Sequence, residues 1–155
     1  MGAPAFRPGQ VYRVDFEEGW HTYGRMLEDR PYFAFHDWRV QVPAADLLEV
    51  VKSPVLFVVA VRWHYHHQGR SWPSVGNVPL DVVDTPIPLQ FILSPPDSTR
   101  PILADSKGGR WPATLEQCVG LEPVMVWDAD HVEQRLADHY AGRPNHWVEM
   151  YRPKV

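Results

Sequence analysis

The chain has 155 residues, 45% of them hydrophobic, enough for one core and a single domain spanning 1–155. Its formal net charge is -4, with eleven acidic against seven basic side chains after residue 80, which argues against nucleic acid as a partner and for tolerance of a cationic one. The longest apolar run, Val55 to Val61, stops after seven residues, well short of the roughly 18 to 20 that span a bilayer, so no membrane segment is expected.

The N-terminal stretch carries no basic segment followed by an apolar core, and Cys118 is the only cysteine, which excludes an internal disulfide. Both point to the cytoplasm, where thiols stay reduced. Sixteen prolines are scattered without repetition and read as rigid turns between short elements.

Gln10 to Phe16 alternates, with Tyr12, Val14 and Phe16 on one face and Val11, Arg13 and Asp15 on the other, the pattern of a half-buried strand. Glu17, Glu18 and Gly19 turn the chain. Trp20 to Leu27 and Tyr32 to Trp38 follow as second and third strands, giving an antiparallel meander, and Gly24 within the second suggests a bulge that curves the sheet. Pro43 to Pro54 reads as a short helix with Leu47, Leu48 and Val51 on one face, ended by Pro54. Val55 to Trp63 is apolar on both faces and is expected to be the central strand of the core.

Further on, Leu89 to Leu93 and Pro101 to Ala104 are shorter strand candidates, and Asp105 to Arg110 reads as a hairpin tip. Thr114 stands three residues before Gln117, the spacing of a capping box, with Gly120 positioned to end the turn of helix. Leu121 to Trp127 reads as one buried strand. Asp128 to Pro144 is the clearest helix, with Asp128 as N-cap, Val132, Leu136 and Tyr140 toward the core, and Gly142 beyond its end. Its opposite stripe, Asp130, Gln134 and Asp138, is expected to face solvent or a partner. The predicted fold is α+β: a curved, mostly antiparallel, partly barrel-like sheet with two or three short helices packed on it.

Three histidines fall within four positions at His64, His66 and His67. On an extended strand His64 and His66 project from one face, about 7 Å apart at Cα. Two ligands are fewer than the three that catalytic zinc takes from protein, and no H-E-x-x-H spacing completes the set. A structural strand end beside Trp63, Tyr65 and Trp72 is the simpler reading, with a small metal-dependent hydrolase at His64 and His66 as its rival. Cys118 suits a buried structural thiol better than a nucleophile, and no phosphate loop or nucleophile elbow occurs. No catalytic residue and no cofactor is predicted.

The segments "GQVYRVDFEEGWHTYGRML", "SPVLFVVAV", "WPSVGNVPL", "RWPATLEQCVGLEPVMVWDADHVEQRLADHYAG" and "RPNHWVE" together resemble the Immunity protein 26 family of bacterial polymorphic-toxin systems, over roughly Gln10 to Glu149. Within the fourth segment, Trp111 is an insertion relative to the family's usual pattern, and Thr114 keeps its capping position. The resemblance implies a non-enzymatic cytoplasmic protein that binds and neutralises a cognate toxin, with Gly24, Pro73, Gly76, Thr114 and Trp127 in structural roles. It names no toxin. The candidate contact residues are Glu17, Glu18 and Trp20 near the first turn, and Glu116, Asp130, Glu133 and Asp138 in the acidic C-terminal part. A barrel that binds a peptide or small ligand in an aromatic groove is a further alternative.

Overall fold

Alternation in the first forty residues produces three strands, β1 (Gln10–Asp15), β2 (His21–Met26) and β3 (Tyr32–His36), paired antiparallel in sequence order. The computed structural model describes residues 7–29, 31–44, 46–62, 72–95 and 97–155. These divide into two compact units, one of residues up to Pro86 together with Trp127–Ala129, the other of Ile87–Val126 and Asp130–Val155.

In the first unit the meander continues through α1 (Leu47–Lys52) into β4 (Val55–Val61), then β5 (Ser74–Asn77). With β10 (Val126–Trp127) these form a six-stranded sheet in the order β10-β4-β3-β2-β1-β5. β4 is an interior strand, as its two apolar faces require, but β3 and β2 hold the middle. Tyr12, Phe33, Phe35, Phe57 and Trp72 gather through ring contacts, with Trp72 meeting Phe33 and Phe35 edge-on at 6.1 and 5.7 Å. Val11 and Tyr23, by contrast, join Val50, Val51 and Val78 in a second cluster that includes α1. Val11 is therefore fully buried although alternation placed it opposite Tyr12. Both faces of β1 are covered.

Gly24 makes no bulge. It pairs in register with Tyr12 and Phe35, and a Cβ there would sit 2.7 Å from Phe35 Cε1, so the position needs glycine because the ring lies over it. The register shifts lie elsewhere, between Val11 and Tyr12 where β1 meets β5, and between Phe35 and His36 where β3 meets β4. Gly76 lies within β5, and Trp72 is buried in the core.

The second unit carries a four-stranded sheet ordered β8-β7-β6-β9, from β6 (Gln90–Ile92), β7 (Ile102–Ala104), β8 (Arg110–Pro112) and β9 (Glu122–Pro123). Only the β6–β9 pairing in it is parallel. Its two edge strands each contain a proline, Pro112 and Pro123, which cannot donate to a further strand. Helices α2 (Leu115–Cys118) and α4 (His146–Met150) belong to this unit, as does α3 (Ala129–Ala141) after its first residue. Gly142, at φ +69°, follows α3 as expected.

The apolar stretch Leu121 to Trp127 is not one strand. It splits into β9 and β10, which belong to different sheets, and Val124 and Val126 are 40% and 47% exposed. Pro123 has no N–H to donate, and the Val124 N–H donates to the Phe91 carbonyl at 2.8 Å, holding the first part of the stretch against β6. Among the described residues the fold is thus α+β, with two mostly antiparallel sheets and four short helices in place of one sheet with two or three. Neither sheet closes into a barrel.

Candidate functional site

The β1–β2 turn presents Glu17 and Glu18 to solvent from a stiff base. Phe16 and Trp20 exchange backbone contact across the turn, Phe16 N–H donating to the Trp20 carbonyl at 3.0 Å. Their rings stack at 3.7 Å with 10° between planes, and the Arg39 guanidinium lies 4.7 Å from the Trp20 ring centroid. Trp20 is only 8% exposed, so its large surface holds the turn in place through stacking and cation–π attraction. Beside it Asp15 accepts hydrogen bonds from Arg13 Nε and His21 Nδ1, each at 2.6 Å. Partial burial works against the Asp15 anion, but those two partners outweigh it and hold the carboxyl below its ordinary range.

In the second unit Glu116 is exposed in the first turn of α2, whose capping box is complete: Gln117 N–H reaches Thr114 Oγ1 and Thr114 N–H reaches Gln117 Oε1. Asp130 is exposed in the first turn of α3, where its carboxylate accepts the His131 N–H at 3.0 Å and suits the positive end of the helix. Glu133, three residues on and half-buried, lies on the same side of α3.

Asp138 does not join them. It is 6% exposed, with Oδ1 accepting from Gln134 Nε2 at 2.9 Å and Arg143 Nε at 3.2 Å, and Oδ2 from Asn145 Nδ2 at 3.0 Å. Helical spacing placed it on the outer stripe, but the chain after Gly142 folds back over it. Asn145 in turn caps α4 by accepting from the Trp147 and Val148 amides. Asp138 thus fixes the α3–α4 connection and is not on the solvent-facing stripe.

Two buried groups complete the chemistry. Arg25 is fully buried in β2 and donates to the carbonyls of Val78, Pro79 and Val83 and to Thr85 Oγ1, pinning residues 78–85 against the sheet. Burial lowers its pKa, with the charge of Asp84 opposing. Nothing in the local pattern of β2 marks Arg25 as interior, since its acceptors lie more than fifty residues away. Cys118 is buried with Phe91 and Leu103, its thiol pushed up by burial, which disfavours the reactive thiolate. His64 and His66 lie outside the described residues.

Residues 7–99, more than half of the chain, match the model of Immunity protein 26. The chain belongs to the Immunity protein 26 family. No curated protein and no solved structure matches it. In this family member the matched stretch takes in the meander, α1, Arg25 and the Glu17–Trp20 turn, and ends before β7. Glu116, Asp130 and Glu133 fall beyond it. No helix among the described residues is long and apolar enough to cross a membrane.

Proposed function

We propose that this Immunity protein 26 family member acts in the cytoplasm, binding the toxin encoded beside its own gene and neutralising it by protein–protein contact without turnover. Family membership over residues 7–99 carries the reading. Exposed carboxylates on stiff supports favour it, Glu17 and Glu18 on the turn braced by Phe16, Trp20 and Arg39, and Glu116 and Asp130 in helix first turns, with half-buried Glu133 beside Asp130. A braced backbone presents such groups without a loop having to be ordered on binding. Their field would draw in a basic toxin cleft and raise the association rate more than the final affinity.

The test is association kinetics between the purified chain and the neighbouring toxin, read by surface plasmon resonance at low and physiological salt. Glu17→Gln with Glu18→Gln, and separately Asp130→Asn with Glu133→Gln, should each slow association by about threefold or more at low salt, with less effect at high salt. Absence of any complex would sink the reading. Unchanged kinetics in both variants would remove these carboxylates from the contact.

A further inference from the structure

The second unit contains a cavity of about 440 Å³ where β6 and β9 run side by side and the segment after α4 passes them. That volume falls within the range of small-ligand sites. Phe91, 2% exposed, lines its interior, and three large apolar side chains left exposed elsewhere unaccounted for also line it: Val124 at 40%, Met150 at 47% and Tyr151 at 38%. Scattered exposed apolar residues are ordinary, but their convergence on one concavity marks a contact site. The Met150 thioether adapts readily to the shape of an occupant.

The charges at this cavity run against those of the surrounding chain. Acidic residues predominate after residue 80, yet the lining carries Arg152 and Lys154 against Asp97 alone. Arg152 pairs with Glu149 Oε1 at 2.7 Å in an exposed geometry that a ligand anion can share. Lys154 is exposed and has no ion-pair partner among the described residues.

We propose that this cavity binds an amphiphilic carboxylate, its apolar or aromatic body seated on Phe91 between Val124, Met150 and Tyr151 and its anion facing Lys154 and Arg152. Such a ligand is a small organic acid, or an apolar residue at the carboxylate end of a peptide. Its lining shares no residue with the carboxylates proposed above for toxin contact.

Titration of the purified full chain, followed by NMR at the Val124 and Met150 methyls, tests this without any toxin. The probes are 4-phenylbutyrate against neutral 4-phenyl-1-butanol, and a pentapeptide ending in phenylalanine against its C-terminal amide. At low salt each carboxylate that enters should bind about fivefold tighter than its neutral counterpart, the scale of one partly exposed charge contact. Lys154→Gln should remove most of that preference, and Asp97→Asn should tighten binding. Binding of phenylbutyrate alone identifies a small acid as the ligand, whereas binding of the free-carboxylate peptide identifies a chain end; either supports the site. Absence of saturable shifts with both acids, equal affinity for acid and neutral probe, or weaker binding in Asp97→Asn would overturn it.

Discussion

The unit built on the six-stranded sheet is ordered by ring against ring, and the unit built on the four-stranded sheet by partner against partner. In the first, strands of four to seven residues, the two-residue β10 apart, flank buried Phe33, Phe35, Phe57 and Trp72, and α1 seals the opposite face. In the second, strands are two or three residues long and the cluster around Phe91, Leu103 and Cys118 is small. Polar geometry supplies what area does not: a capping box, the doubly hydrogen-bonded Arg135–Glu122 pair at 2.7 and 2.9 Å, and the Asp138–Asn145 connection. Substitutions should therefore act through lost volume in one unit and through orphaned polar groups in the other.

The largest expected effect tests the first half of that contrast. Phe35→Ala removes a fully buried ring and should cost about 4 kcal/mol in urea denaturation. Gly24→Ala alone should cost about 1 to 3 kcal/mol, since its Cβ would meet Phe35, and the penalty should shrink when Phe35→Ala is present. Additive costs would show that the ring over Gly24 is not the reason for the glycine.

Asn145→Ala tests the second half. It uncaps two α4 amides and strips one partner from buried Asp138, and a loss of about 2 kcal/mol is expected. Hydrogen exchange at the Trp147 and Val148 amides should accelerate with it. A loss comparable to that of a surface substitution would mean that water replaces the side chain without cost.

His36 bridges the contrast, as a polar group inside the ring-packed unit. It is fully buried, its Nδ1 hydrogen directed at the Ser53 carbonyl at 3.1 Å, with no hydrogen-bond partner for Nε2 among the described residues. Burial lowers its pKa, the Ser53 contact opposes this, and the charge of Arg25 adds to it. As pH falls the unfolded chain takes up this proton first. Stability should be whole above about pH 6.5 and decline below it, at no more than about 1.4 kcal/mol per pH unit from this group. Denaturation midpoints from pH 7.5 to 5 should flatten in His36→Gln; an unchanged slope would place the titration elsewhere.

Much of this was legible in local pattern. The meander, α1, the Thr114 capping box, α3 and its Gly142 stop all rest on periodicity or on contacts within four residues, which a sequence displays directly. Asp105 to Arg110 proves to be a tip, with Asp105 accepting the Lys107 and Gly109 amides. What local pattern could not display depends on distant chain: the ring of Phe35 over Gly24, the carbonyls that satisfy Arg25, and the loop that covers Asp138. The acidic turn at Glu17 and Glu18 was readable, but the burial of Trp20 beneath Phe16 and Arg39 was not, because Arg39 arrives from beyond the third strand. The cavity beside β9 was invisible for the same reason, its walls coming from three separate stretches of chain.

The smallest effect is the sharpest check on whether local geometry governs the second unit. Thr114 stands exposed and forms two reciprocal hydrogen bonds with Gln117. Thr114→Ala should cost about 1 kcal/mol, and Thr114→Ser, which keeps the acceptor oxygen, should cost much less. The same helical turn carries Cys118 into the apolar cluster, its thiol directed at the Thr114 carbonyl at 3.4 Å. Loosening the cap should therefore raise the reactivity of Cys118 toward a thiol reagent in Thr114→Ala but not in Thr114→Ser. Equal labelling of the two variants would show that the apolar contacts of Cys118 hold the turn without its cap, and that area, not polar geometry, orders this part of the chain as well.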